Sequence, residues 1–195
     1  MGILTTLRVL KTNSIKWAFA AGSIAYFAIF FSFSLLPLIP LTLLWIGLDY
    51  LFNIEERSLL QTIKVILVFF LGFFILHLFF KLLLNYDFIL RYQNALTQHR
   101  LHKDYLSGFQ QIIDAVILNN TEFVVWLGFP MAILFISAIG RMLFSCLYRR
   151  PNRQDTLLLA FLATFIALNI MGQTRSEVAR LWLFMIPLVS FFSST

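Results

Sequence analysis

The sequence predicts an all-α, polytopic integral membrane helical bundle, and three observations carry that prediction. Hydrophobic residues make up 60% and charged residues 12% of 195 positions, with a mean hydropathy of +0.85, which leaves too little polar surface to cover a water-soluble globule. The apolar residues come in runs of the length that a hydrocarbon core of about 30 Å demands of a helix, about 20 residues. Those runs are continuous instead of alternating, which excludes a spanning β-barrel. The expected architecture is a single transmembrane domain over 1–195 with about five to six membrane segments and one amphipathic surface helix.

Arg8, Lys11 and Lys16 precede the first apolar run. That run is far longer than the core of a cleavable leader, so it is read as an anchor. From Trp17 to Leu48 there is no charged residue, more than one helix requires, and Pro37 and Pro40 divide the stretch. Proline removes a backbone donor and clashes with the preceding turn, so a helix is expected over 17–36, a break over 36–40 and a shorter apolar helix ending close to residue 52. Asp49 is expected at the interface, where a carboxylate reaches water.

Glu55, Glu56, Arg57 and Lys64 form a polar connection before a span from Val65 to Leu84, apolar except for His77 and Lys81. His77, Lys81 and Asn85 recur every four residues and share one helical face, either snorkelling to the interface or lining a cavity. The stretch 85–122 mixes polarities. Leu101, Tyr105, Phe109, Ile112, Ile113, Val116 and Ile117 recur at three- and four-residue steps, which predicts an extramembrane amphipathic helix on the membrane or on neighbouring spans. Within it, His99 and His102 have the spacing of a metal pair but no glutamate at the zinc-hydrolase interval, so no metal is assigned. No cofactor is indicated either.

The next span, Phe123 to Phe144, is expected to kink near Gly128 and Pro130. Tyr148-Arg149-Arg150-Pro151-Asn152-Arg153 is the densest basic cluster, and Thr156 to Met171 a brief span ended by Gly172. Leu181 to Thr195 would be only about 22 Å long as a helix, so the last span should begin near Arg175. The sequence closes on Phe-Phe-Ser-Ser-Thr with no basic stop, and more is expected to follow it.

The formal charge of +6 comes from basic residues clustered between apolar runs, which sets membrane orientation and contact with anionic lipid; no nucleic-acid signature is present. The single Cys146 allows no internal disulfide and is read as a packing residue. With Arg149, Arg150 and Arg153 on the cytoplasmic side of the cell (plasma or inner) membrane, the spans alternate so that 85–122 and 172–180 both emerge outside. A hairpin over 17–52 then returns the basic N-terminus to the inside; the alternative, one span plus a re-entrant piece, strands its three basic residues outside.

One stretch patterns its charges. In Gly172-Gln173-Thr174-Arg175-Ser176-Glu177-Val178-Ala179-Arg180, Thr174 and Glu177 form a capping-box signature before an apolar run. Glu177 and Arg180 share a face, and Arg175 sits in the first turn, where free N–H groups favour an anion. This is a phosphate seat, or alternatively the capped, charged entry that any helix at a membrane surface uses. The segment Gly172 to Pro187 fits G-x-T-(K/R)-x-E-x-x-R-(L/I)-(W/Y)-L-F-x-x-P. It resembles a late segment of GT-C-type membrane glycosyltransferases that use polyprenyl-phosphate sugars, with a weaker likeness upstream through Arg91, Tyr92, His99 and Gly128-Phe129-Pro130.

The resemblance implies a transferase that takes a sugar from a polyprenyl-phosphate donor on the outer face. Arg175, Glu177, Arg180, Lys81 and His99 are the candidate substrate-binding residues. Those enzymes are longer and carry a catalytic carboxylate in an early external loop, which has no clear equivalent here; Asp87, Asp104, Asp114 and Glu122 are the outward acids, and the catalytic residue stays unassigned. The chain is therefore read as a C-terminal portion of a longer protein, the product of a split gene or a reduced relative without activity; if complete, it is expected to need a membrane-protein partner for catalysis. The competing class is a non-enzymatic polytopic scaffold or assembly subunit whose charged loops contact lipid headgroups.

Overall fold

A computed structural model of the chain describes residues 2–12, 14–52, 58–102, 109–171 and 185–193. Among them every regular element is helical, as the unbroken apolar runs require. The helices are α1 (Gly2–Thr12), α2 (Ile15–Phe31), α3 (Leu38–Phe52), α4 (Leu59–Leu84), α5 (Phe88–His102), α6 (Phe109–Leu127), α7 (Phe129–Tyr148), α8 (Arg153–Met171) and α9 (Ile186–Ser193), with a 3-10 turn at Phe33–Leu35. Four are long and apolar enough to cross a membrane: Phe33–Phe52, Leu59–Leu84, Phe129–Tyr148 and Arg153–Met171; Ile15–Phe31 is a shorter apolar helix. The protein is an integral membrane protein. Its helices form two compact units, Met1–Asp104 and Tyr105–Thr195.

The first unit is built on the crossing of α2 and α4. Their backbones touch because glycine faces each of them: a Cβ on Gly22 would collide with the Phe69 carbonyl oxygen, and one on Gly72 with that of Phe19. Ala18 and Ala21 are buried beside Gly22, so small residues line the seam, as lipid-embedded helices favour where only packing and hydrogen bonding can drive association. The outward face is the reverse. Leu67, Leu71, Leu78, Leu82 and Leu83 of α4 are all exposed, an apolar coat that suits acyl chains and not water. α1 packs on α2 and α3, burying Val9 and Leu10, while Arg8 lies 4.4 Å over the Trp17 ring.

Element boundaries depart from the sequence expectation where side chains offer the backbone other partners. The first break opens at Ser32 and not at Leu36: Ser32 is extended, and its Oγ accepts from the Ser34 N–H and meets the Ser34 hydroxyl at 2.6 Å. Pro40 sits in the first turn of α3, where its missing N–H costs nothing. The polar connection ends earlier than expected because Ser58 and Gln61 form a reciprocal capping box that starts α4 six residues before Val65. Asp49 was expected at the interface; it is fully buried in α3.

In the second unit the expected kink is a complete break. Gly128 takes a φ of +81°, which separates α6 from α7, and Pro130 follows in the first turn of α7. α6, α7 and α8 pack on one another, and α9 packs on α7. Phe161 anchors the aromatic core, with ring centroids 5.7 Å from both Phe135 and Phe192. Asn120 donates to Asn169 Oδ1 at 3.3 Å and to the Val116 carbonyl at 2.7 Å, a polar tie between α6 and α8.

Candidate functional site

One cluster of polar side chains in the first unit lies where α4 ends. Asn85 adopts the left-handed conformation, with a φ of 50°, and stops the helix; its N–H and that of Tyr86 both donate to the Phe80 carbonyl. Asp87 then starts α5: its Oδ1 accepts from the N–H groups of Ile89 (3.0 Å) and Leu90 (3.3 Å). Its Oδ2 takes the Lys81 ammonium at 2.8 Å. The Arg91 guanidinium lies 4.8 Å over the Tyr86 ring, which packs against Phe30.

Below this rim lies an aromatic cage around two buried polar groups. Tyr26 of α2 packs against Phe73, Phe80, Phe88 and His77, and the His77 ring stands edge-on to Phe88 at 5.2 Å. The Tyr26 hydroxyl and His77 Nδ1 are buried without a hydrogen-bond partner among the described residues. Desolvating a hydroxyl without a partner costs about 1–3 kcal/mol. Tyr26→Phe is therefore expected to leave thermal stability in detergent unchanged or raise it by a few degrees. A clear loss of stability would show that the hydroxyl is bonded in the membrane.

Of the sequence-derived binding residues, Lys81 is half exposed and held by Asp87, so its charge is already partnered. The His77, Lys81, Asn85 face does not continue as one stripe: His77 is buried, Lys81 reaches the rim and Asn85 leaves the helix. His99 belongs to α5 by its backbone. Arg175, Glu177 and Arg180, together with the Thr174 cap, lie outside the described residues, and no two of the five candidates are brought into contact within them. Sequence reasoning passed over Tyr26, which sits in a run with no period to say which way it faces. The capping role of Asp87 had a signal, the Asn-Tyr-Asp cluster between two helices. No three His, Cys, Asp or Glu side chains gather in metal-binding geometry among the described residues.

The Lys81–Asp87 clamp is pH-sensitive in one direction. The Lys81 hydrogen bond, with the Leu90 and Ile89 N–H groups, holds the Asp87 carboxyl below its ordinary value. A depressed carboxylate contributes stability that is present above its unfolded pKa, about 3.9, and is lost as pH falls through the folded value. Asp87→Asn, which keeps an oxygen for the cap, is expected to lower the melting temperature slightly at pH 7 and to converge with wild type once the pH has fallen below the depressed folded value. A gap that persists in acid would point to a packing effect instead.

Comparison with protein-family models, curated proteins and solved structures finds no significant match.

Proposed function

We propose that this chain is a multi-pass cell-membrane protein related to polyprenyl-phosphate-sugar-dependent glycosyltransferases, which holds the donor at the outer face and transfers its sugar with a membrane-protein partner or as part of a longer chain. The observation that carries this is the sequence of Gly172 to Pro187, where the capping-box spacing of Thr174 and Glu177, the neighbouring Arg175 and the three-residue spacing of Glu177 and Arg180 coincide with the GT-C-type pattern. Phosphate at a helix entry beside arginine gains charge-assisted hydrogen bonds, while a prenyl tail lies among apolar helices. The exposed leucine coat of α4 is the kind of surface such a tail contacts.

A scaffold or assembly role is favoured by one observation: Asp87, the acid that the structure places at the rim of the first unit, is occupied by a helix cap and an ion pair, and so is not free to act as an acid or base. The two readings separate by sidedness and by transfer. In a Cys146→Ser background, Ser107→Cys and Ser176→Cys are expected to react with a membrane-impermeant thiol reagent added outside whole cells. Protection of either one until the membrane is opened puts the two connections on different sides and ends the donor reading as stated.

A further inference from the structure

The second unit holds a cavity of about 230 Å³ where α7 ends and α8 begins, lined by Arg141, Ser145, Asn152, Gln154 and Asp155 on its polar side and by Ala138, Leu158 and Phe192 on its apolar side. Its polar wall is ordered. Asn152 Oδ1 accepts from the N–H groups of Gln154 (2.8 Å) and Asp155 (2.9 Å), and Asp155 Oδ2 accepts from the Asn152 N–H (3.0 Å) and the Ser145 hydroxyl (2.8 Å). Those bonds fix one carboxylate oxygen; Asp155 Oδ1 is not used in them. Neither Asp155 nor Arg141 forms an ion pair within the described residues, so the cavity presents one carboxylate and one guanidinium, both unneutralised.

Arg141 sits seven residues before the end of α7, about 10 Å along the axis, a depth from which a long side chain reaches the headgroup layer. Three further arginines, Arg149, Arg150 and Arg153, stand in and beside the same loop. A simple anion seated at Arg141 would face Asp155, and a simple cation seated at Asp155 would face Arg141. A ligand that carries both charges meets neither conflict, and the buried Ala138, Leu158 and Phe192 offer its hydrocarbon an apolar wall. The open acceptors favour N–H donors: Asp155 Oδ1 and the Gln154 side-chain carbonyl suit a primary ammonium, Asn152 Oδ1 being filled by its two backbone donors, whereas a quaternary ammonium is bound by aromatic faces, of which this lining has one, Phe192.

We propose that this cavity binds the zwitterionic headgroup of a phospholipid with a primary ammonium, its phosphodiester at Arg141 and its ammonium at Asp155. The site is independent of the polyprenyl-phosphate seat and belongs to the leaflet that the arginine loop faces.

The test is lipid retention by the purified full chain in native mass spectrometry, with phosphatidylethanolamine, phosphatidylcholine and phosphatidylglycerol of matched chains. Wild type is expected to retain phosphatidylethanolamine over phosphatidylcholine by roughly 10-fold or more, the size of one charge-assisted hydrogen bond. Asp155→Asn, which keeps an oxygen for Ser145 and the Asn152 N–H, is expected to bring that ratio close to one. Arg141→Gln is expected to reduce retention of both by about as much. Soluble glycerophosphoethanolamine should compete poorly, and competition on a par with the lipid would overturn the lipid assignment. Equal retention of the first two lipids by wild type, or a ratio that Asp155→Asn leaves unchanged, overturns the proposal. So does a phosphatidylglycerol preference that Asp155→Asn strengthens, which marks a purely anionic site. The wild-type ratio decides the matter even if a variant fails to fold.

Discussion

Gly72→Leu and Gly22→Leu are each expected to lower the stability of the first unit by about 3 kcal/mol or more, beyond the usual range for an overpacked core, because the obstruction is backbone and not a movable side chain. At Gly72 the added Cβ meets the Phe19 carbonyl, and at Gly22 that of Phe69, so α2 and α4 must separate along their whole seam. Separation strips Tyr26 and Phe73 of their mutual edge contact at 5.3 Å and uncovers Ser23, whose hydroxyl reaches the Gly72 carbonyl at 3.5 Å. The readout is thermal unfolding in detergent, where a fall of roughly 10 °C is expected. Gly47→Ala is the control. Nothing lies within 4 Å of a Cβ there, so it should be neutral or stabilising, since glycine in a helix interior costs about 0.5–1 kcal/mol against alanine. Equal melting of Gly72→Leu and Gly47→Ala would contradict the backbone seam.

Class was legible because it needs only the length and continuity of apolar runs; α4 and α8 contain the expected runs but start earlier, and α7 begins only after the Gly128 break in the run expected from Phe123. Capping was legible in principle: Ser58-Leu59-Leu60-Gln61 has the capping-box form, and it outweighs the charge of Lys64 in deciding where α4 begins. The Ser32 break was harder to read. Two prolines drew the boundary to residues 36–40, yet one tolerates the first turn of a helix, while serine hydroxyls compete for backbone groups a turn earlier. Facing was not legible. A helix that is hydrophobic all round has no period to mark its buried side, so neither the inward turn of Tyr26 nor that of Asp49 had a signal in the sequence. Gly22 and Gly72 carried one, small residues in apolar helices, but not the information that they meet each other.

For the candidate site, the sequence showed which residues carry charge and not which charges are already partnered. Lys81 illustrates the difference. Its place at the end of a span makes it a candidate cation for a lipid phosphate from sequence alone, but Asp87, six residues later, accepts it at 2.8 Å. A phosphate that displaced Asp87 would have to outcompete a carboxylate fixed by two backbone donors. The weight of the donor hypothesis therefore rests on Arg175 and the sequence pattern around it, and less on Lys81.

The most direct measurement is native mass spectrometry of the purified chain with polyprenyl phosphate, comparing wild type with Arg175→Ala and Glu177→Ala. Loss of a charge-assisted contact to phosphate is expected to weaken retention about 10-fold in Arg175→Ala, and Glu177→Ala to weaken it less. Arg141→Gln, at the separate cavity of the second unit, should leave polyprenyl-phosphate retention as in wild type. Retention of polyprenyl phosphate that Arg175→Ala releases is the predicted result. A chain that carries only ordinary phospholipids, unchanged in both variants, would contradict the account and leave the scaffold role.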